Sequence, residues 1–336
     1  MSPEATIKIG AIYSLTGPLA GLGEQYKDGA TFAVDVLNKQ GVVSSKKIEL
    51  LLEDNQSTPQ GAVASLNKLL NIDKVKYFSS FGSSVCLALK PITEENKLLL
   101  LAGTAHPKIT ENSQLVLRHS SIALSDAKIV VEKLKEKNPS KVGIIYVNDD
   151  WGATLNNEFQ RLSKEFNPKI EIASESHLAS DTDFRSQITK VLASQPSAVL
   201  VASSGSACGF IIKQLRELGY KGDIFTNIGF ALSLDAQKIA STSANGVYYE
   251  TYQPNSQFSK DFLQEYGRDA KGIFAMYAYL DFELLAEAIE KVGESPLDIS
   301  QYIKSLKSFQ GKYEQVEILP TGNIIIPTEL KIWKSE

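Results

Sequence analysis

Two short polar turns hold the residues best suited to chemistry in this chain: Gly82-Ser83-Ser84 and Gly103-Thr104-Ala105-His106. Between them lie a helical stretch and the apolar run Leu98-Leu99-Leu100-Leu101. Neighbouring strands of a parallel sheet end side by side. The two turns would therefore bring backbone N–H groups, a helix N-terminus and three hydroxyls to one rim, which makes a receptor for a small anion. His106, inside the second turn, has two open readings: a hydrogen bond to an acidic ligand, or a loop imidazole facing solvent.

Catalytic groupings are not found beside these turns. The stretch Ser203-Ser204-Gly205-Ser206-Ala207-Cys208-Gly209 invites comparison with a nucleophile elbow, but alanine stands at the centre of its Gly-x-x-x-Gly frame and no histidine is placed as base. It reads as a second rim, with Ser206 and Ala207 facing the far end of a ligand. His106, His119 and His177 are scattered, without Cys or Glu at metal spacing. Gly17, Gly21 and Gly23 do not form a dinucleotide fingerprint, and no phosphate-loop lysine follows them. Catalytic residues, metal and cofactor are therefore all expected to be absent. Cys86 and Cys208 are the only cysteines, and their apolar settings read as two buried thiols.

The elements that must position these turns alternate along the chain. Ile7 to Tyr13 reads as a strand, followed by a helix from about Gly23 to Asn38 and a strand from Ile48 to Glu53. The same rhythm runs on through Leu101 and restarts after Arg118, from the helix Ser125 to Lys137 to the strand Gly246 to Tyr249. Strand and helix alternating at this spacing specify parallel sheets covered on both faces. Two long helices, a shorter one and two strands follow, so the chain is expected to return to its first lobe after residue 249. The reading is α/β, with two similar Rossmann-like lobes built on central parallel sheets and joined by three crossings. Lobe 1 is placed at 6–121 with 250–326, and lobe 2 at 122–249 with 327–336.

At 336 residues the chain is long enough for two cores. Its 35 basic and 39 acidic residues are interspersed, with no basic stripe of the kind a nucleic acid requires. No apolar run approaches the ~20 residues of a membrane span. The start, Met1-Ser2-Pro3-Glu4-Ala5, lacks a leader pattern. That leaves open a cytosolic protein or one whose leader has been removed.

Several stretches together carry a family resemblance: Tyr13-Ser14-Leu15-Thr16-Gly17-Pro18, Gly23, Gly29-Ala30, the Phe81-to-Val85 turn, Gly103-Thr104-Ala105-His106-Pro107 and Asn148-Asp149-Asp150-Trp151-Gly152. With Asp183-Phe184, Gln214-Leu215-Arg216-Glu217-Leu218-Gly219 and Tyr279-Leu280-Asp281, their order and spacing resemble the type I periplasmic binding proteins of the branched-chain amino acid receptor group. The resemblance spans Ile7 to Trp333. It implies an extracytoplasmic solute receptor for an ABC importer, monomeric and not an enzyme, closing two lobes over a carboxylate-bearing ligand by hinge bending and presenting it to a membrane permease. A cytosolic acid- or amide-responsive sensor on the same scaffold is the alternative.

The resemblance also implies roles. The ligand carboxylate falls to Ser83 or Ser84 and to Gly103, Thr104 and Ala105. Where amino-acid receptors place an acid to meet the ligand ammonium, this chain reads Asn227-Ile228-Gly229-Phe230-Ala231. Asp126 is either a substitute partner or a helix first-turn acid favourable to the macrodipole. Trp151, Phe230 and Phe274 match positions lining the cleft, with packing as the other reading for Trp151 and Phe274. Leu22 and Ala207 stand where bulkier residues occur and would widen the pocket. The ligand class is thus a branched-chain or aliphatic amino acid, or an aromatic or branched organic acid.

Overall fold

Apolar strands of three to eight residues alternate with amphipathic helices, and the chain folds into two α/β units, each around its own sheet. The structure is a computed structural model. It describes residues 6–335 apart from 42, 44, 45, 105, 120–122, 253, 254, 271 and 327. The first unit comprises Met1–Ser120 with Pro254–Ile326, and the second Ser121–Gln253 with Pro327–Glu336.

The strands are β1 (Thr6–Tyr13), β2 (Lys47–Asp54), β3 (Tyr77–Phe81), β4 (Leu99–Gly103), β5 (Val116–His119), β6 (Lys141–Val147) and β7 (Glu171–His177). They continue as β8 (Ala198–Ala202), β9 (Asp223–Thr226), β10 (Tyr248–Thr251), β11 (Ser308–Gln310), β12 (Gln315–Ile318), β13 (Asn323–Ile325) and β14 (Glu329–Ile332). The first sheet has the order β11-β12-β13-β5-β4-β3-β1-β2, and the second β14-β10-β9-β8-β6-β7.

Each sheet is parallel through its centre and mixed at one edge, which modifies the expectation of parallel sheets. In the first, β12 runs antiparallel to both β11 and β13. In the second, β14 runs antiparallel to β10. The turn between β12 and β13 holds Gly322 at φ 85°, a conformation glycine adopts without strain. Residues 250–253 fall in the second unit because β10 runs on to Thr251 and pairs with β9 and β14.

Both cores form from strand faces and the helices that cover them. In the first unit Ile12, Leu66, Phe78, Leu89, Leu100 and Val116 pack together, and in the second Ile145, Val199, Ile211, Leu215, Ile224 and Val247. Cys86 lies in the first core and Cys208 in the second, both as free thiols. Burial pushes each thiol up to about 12, so both stay protonated at neutral pH. Among the described residues no helix is long and apolar enough to cross a membrane.

The strand order fixes where sites can form. In the first unit β1 lies between β2 and β3, and in the second β6 lies between β7 and β8. At such reversals the connections leave to opposite sides and open a crevice at the carboxyl ends of the strands. The turn after β3 opens on the first of these crevices and the turn after β8 on the second.

Candidate functional site: two strand-end rims

The two turns read from the sequence meet at the rim of the first sheet. Phe81 and Gly103 are register partners at the ends of β3 and β4, and Gly82 N–H donates to the Gly103 carbonyl at 3.0 Å. Gly82 lies at φ 93°, which lets the chain turn directly into the helix Ser83–Glu95. As N-cap, Gly82 offers no side chain to cover the first N–H groups of that helix. Gly103 is needed for a different reason: a Cβ there would run into the hydroxyl of Tyr26.

The hydroxyls at this rim are ordered in one direction. His106 N–H donates to Thr104 Oγ1 at 3.1 Å, and Thr104 Oγ1 donates to Ser83 Oγ at 2.9 Å. Ser83 therefore accepts from inside, and its own proton is left to donate outward. Ser84 is exposed next to it, whereas Thr104 is buried. Ala105 lies outside the described residues. His106 is half-buried, and its Nδ1 accepts from Lys108 N–H at 3.2 Å, so that nitrogen caps a short turn.

Behind the turn stands a positive charge. Arg118 on β5 is 3 % exposed, and its Nη1 donates to the His106 carbonyl at 3.0 Å. Among the described residues no carboxylate pairs with it, and its Nε has no partner. Burial lowers this guanidinium to about 10, which leaves it charged at neutral pH. His119, the next residue, forms a buried pair with Asp281, Nδ1 to Oδ1 at 2.7 Å. Burial raises the Asp281 carboxyl and the imidazole opposes that rise. Beside them Tyr26 stacks between Phe81 at 4.6 Å and Phe274 at 5.5 Å, with the half-buried Phe274 outermost. Leu22 is half-buried in the first turn of the helix Ala20–Gln40.

The second sheet repeats the device with a different outcome. The helix Gly205–Glu217 holds Ser206 and Ala207 in its first turn. Ser206 is exposed. Ala207 is 7 % exposed and packs in the core of the second unit. Phe230 is buried as well. Its ring is fully buried, edge-on to Trp333 at 5.1 Å and to Tyr249 at 6.2 Å. In the stretch 227–231, Asn227 precedes a short helix, Ile228–Ala231. Asn227, oriented to satisfy both neighbours, donates to the Ser203 carbonyl at 2.8 Å and accepts from Gly229 N–H at 3.3 Å.

Trp151 is half-buried at the start of the helix Asp150–Phe166, whose N-terminus is capped by Asp149 accepting from Gly152 N–H at 2.7 Å. Asp126 does sit in the first turn of a helix, Ala123–Lys137, but at 1 % exposure. The Glu250 carboxyl of β10 lies within hydrogen-bonding reach of it. Among the described residues no group of three or more His, Cys, Asp or Glu side chains is arranged to hold a metal ion.

Residues 6–326 match the sequence model of the family described as periplasmic binding protein. The chain belongs to that family. Among curated relatives, the Leu/Ile/Val-binding protein BraC3 of Rhizobium johnstonii is 27% identical over 304 residues, covering 87% of this chain and 81% of the relative. The isoleucine complex of LivJ, a branched-chain amino acid transporter substrate-binding protein of Streptococcus pneumoniae, aligns at TM-score 0.83 and 23% identity. That alignment covers 98% of this chain and 96% of LivJ. A solute-binding protein of an ABC transporter from Rhodopseudomonas palustris, in complex with 3,4-dihydroxybenzoic acid, aligns at TM-score 0.81 and 21% identity, covering 97% and 93%. At these identities the two structures share the fold of a type I periplasmic binding protein with this chain.

Within this periplasmic binding protein, sequence reasoning missed Arg118, Tyr26, Asn227 and Glu250. Arg118 follows the apolar run Leu115-Val116-Leu117, and a charge at the end of a buried strand was the available signal. Glu250 continues the strand pattern of Tyr248-Tyr249, so an acid inside β10 was legible once that strand was carried two residues further.

Proposed function

We propose that this chain is the solute receptor of an ABC importer, working outside the cytoplasm. It would bind a small carboxylate-bearing solute and deliver it to a membrane permease, without chemical conversion. The observation that carries this reading is the direction of the hydrogen bonds at the first rim. His106 N–H satisfies Thr104, Thr104 satisfies Ser83, and the Ser83 proton is left for an acceptor. The helix beginning at Ser83 has no side-chain cap, and the Arg118 guanidinium adds positive potential from behind. Donors without acceptors suit an anion.

The body of the solute is proposed to be branched or aromatic, lying against Phe274 and Leu22. An ammonium group is not required by this reading. The stretch 227–231 carries no acid, and Asp126 and Glu250 are buried against each other. The relatives' names support both ligand kinds: one is a Leu/Ile/Val-binding protein, and a structural neighbour holds 3,4-dihydroxybenzoic acid.

The test is a thermal-shift and calorimetric panel of leucine, isoleucine, isovalerate, benzoate and 3,4-dihydroxybenzoate, each beside its uncharged amide. At ~100 Kd a true ligand adds about 2.7 kcal/mol of stability. At least one acid should bind while its amide stays silent. Amides binding as well as acids, or no acid binding at all, would remove the reading. Capture by closure of the two units, which the family resemblance implies, adds a second expectation: the bound acid lowers the radius of gyration in X-ray scattering.

A further inference from the structure

The first sheet has a second end, opposite the anion rim. At the amino ends of β3 and β4 a groove of about 470 Å³ opens between the two connections that lead from helix into strand. Tyr77 and Leu99 begin β3 and β4 as register partners, and Leu99 N–H donates to the Lys76 carbonyl at 3.0 Å, so the connections end side by side. Each turns through a lysine in the left-handed region, Lys74 at φ 59° and Lys97 at φ 56°. With Lys76 these lysines line the groove, and Leu70, Val75 and Leu98 form its apolar part. The start of the helix Pro296–Ser305 borders it, next to Glu294, whose carbonyl accepts from the Tyr77 hydroxyl at 2.6 Å.

The charge of this groove is not neutralised from within the protein. Lys74, Lys76 and Lys97 are exposed, and among the described residues none of their ammonium groups enters an ion pair or a hydrogen bond. The one acid in the lining, Glu294, is already held by Lys46. Asp73 precedes Lys74, and Lys8 Nζ donates to its carbonyl at 3.4 Å, which brings a further cation to the same edge of the sheet.

Large apolar side chains protrude beside the lysines. Ile72, two residues before Lys74, is 72 % exposed, the highest value for a large hydrophobic side chain among the described residues. Leu297, which follows Pro296, is 39 % exposed. Unpaired ammonium groups are complementary to anionic headgroups, and apolar side chains beside them suit the boundary between headgroup and acyl chain. A free phosphate would engage the lysines and leave Ile72 in water. An anionic bilayer engages both.

We propose, resting on the preceding reading only for the presence of a membrane, that this end of the first unit docks on an anionic lipid bilayer. Lys74, Lys76 and Lys97 meet headgroup phosphates, and Ile72 enters the interface beside them. The groove and the anion rim lie at opposite ends of the same strands, so docking leaves Ser83 and Thr104 uncovered. Each lysine near such a surface strengthens binding about fivefold, and the three together about a hundredfold.

The experiment is sedimentation of the full chain, without solute, with phosphatidylcholine vesicles and with vesicles about one-third phosphatidylglycerol. The native chain should bind the anionic vesicles only and should leave them at about 1 M salt, where the screening length falls to about 3 Å. These two arms need no variant. Lys74→Gln, Lys76→Gln and Lys97→Gln together should weaken binding about a hundredfold, and Ile72→Ser about tenfold. Urea midpoints and acid affinity at the first rim should stay unchanged. The proposal is overturned by no binding to anionic vesicles, by equal binding to neutral ones, or by binding retained in the triple variant. Displacement by inorganic phosphate or poly-glutamate at constant ionic strength, with Ile72→Ser silent, would also overturn it and give the groove to a free anion or an acidic polypeptide. Vesicle binding beside a failed solute panel would remove the proposed solute and leave the docking surface in place.

Discussion

The rims of the two sheets are built alike, from a strand end, a tight turn and a helix start, yet their hydrogen bonds end differently. At the first rim the bonds pass outward, from His106 N–H through Thr104 to Ser83, and end on a hydroxyl with a proton to give. At the second rim the Asn227 amide is spent between the Ser203 carbonyl and Gly229 N–H, which ties the turns to each other. The buried charges differ as well. The first unit holds the cation Arg118 and the buried His119–Asp281 pair, and the second holds two acids, Asp126 and Glu250. A shared topology therefore leaves open which rim offers donors. A few polar side chains under each turn decide it.

The comparison can be broken or sharpened by substitution, beginning with the largest effect. Asp281→Ala strands His119 in the first core and should lower stability by about 3 to 5 kcal/mol in urea unfolding. A loss under about 1 kcal/mol would show that this pair is not a structural support of the first unit. Next, Asn227→Ala leaves the Ser203 carbonyl and Gly229 N–H short of a partner and should lower stability by about 1 to 3 kcal/mol. Ser83→Ala is its counterpart and should leave stability within about 1 kcal/mol while weakening a bound acid about tenfold or more in calorimetry. If Asn227→Ala weakened the acid and Ser83→Ala only destabilised, the two rims would have to exchange roles. Ser84→Ala combined with Thr104→Ala should also weaken acid binding, with a stability loss no greater than about 2 kcal/mol. Unchanged affinity would remove the first rim from the anchor.

Much of the molecule was legible before any coordinates. The alternation of apolar strands and amphipathic helices follows from local backbone preferences and burial, so β1 to β4 and the helices between them could be read directly. The meeting of Ser83 and Thr104 was legible for a related reason: β3 and β4 are consecutive strands of one parallel sheet, and consecutive strands end together. The short strands were less visible. β5, β11 and β13 have three or four residues each, too few for periodicity to separate strand from loop. The burial of Phe230 and Ala207 was not legible, because side-chain type does not say which face of a helix is covered.

The sequence by itself determined the two-unit α/β plan, the family and the donor-rich turns, because these depend on patterns only a few residues long. Tertiary structure alone decided the partners of Arg118, Asn227, Asp126 and Glu250. Most of these partners lie well away along the chain: His106 is 12 positions from Arg118, Ser203 is 24 from Asn227 and Glu250 is 124 from Asp126. A buried polar group is defined by the neighbours that surround it, and the linear chain does not show those neighbours.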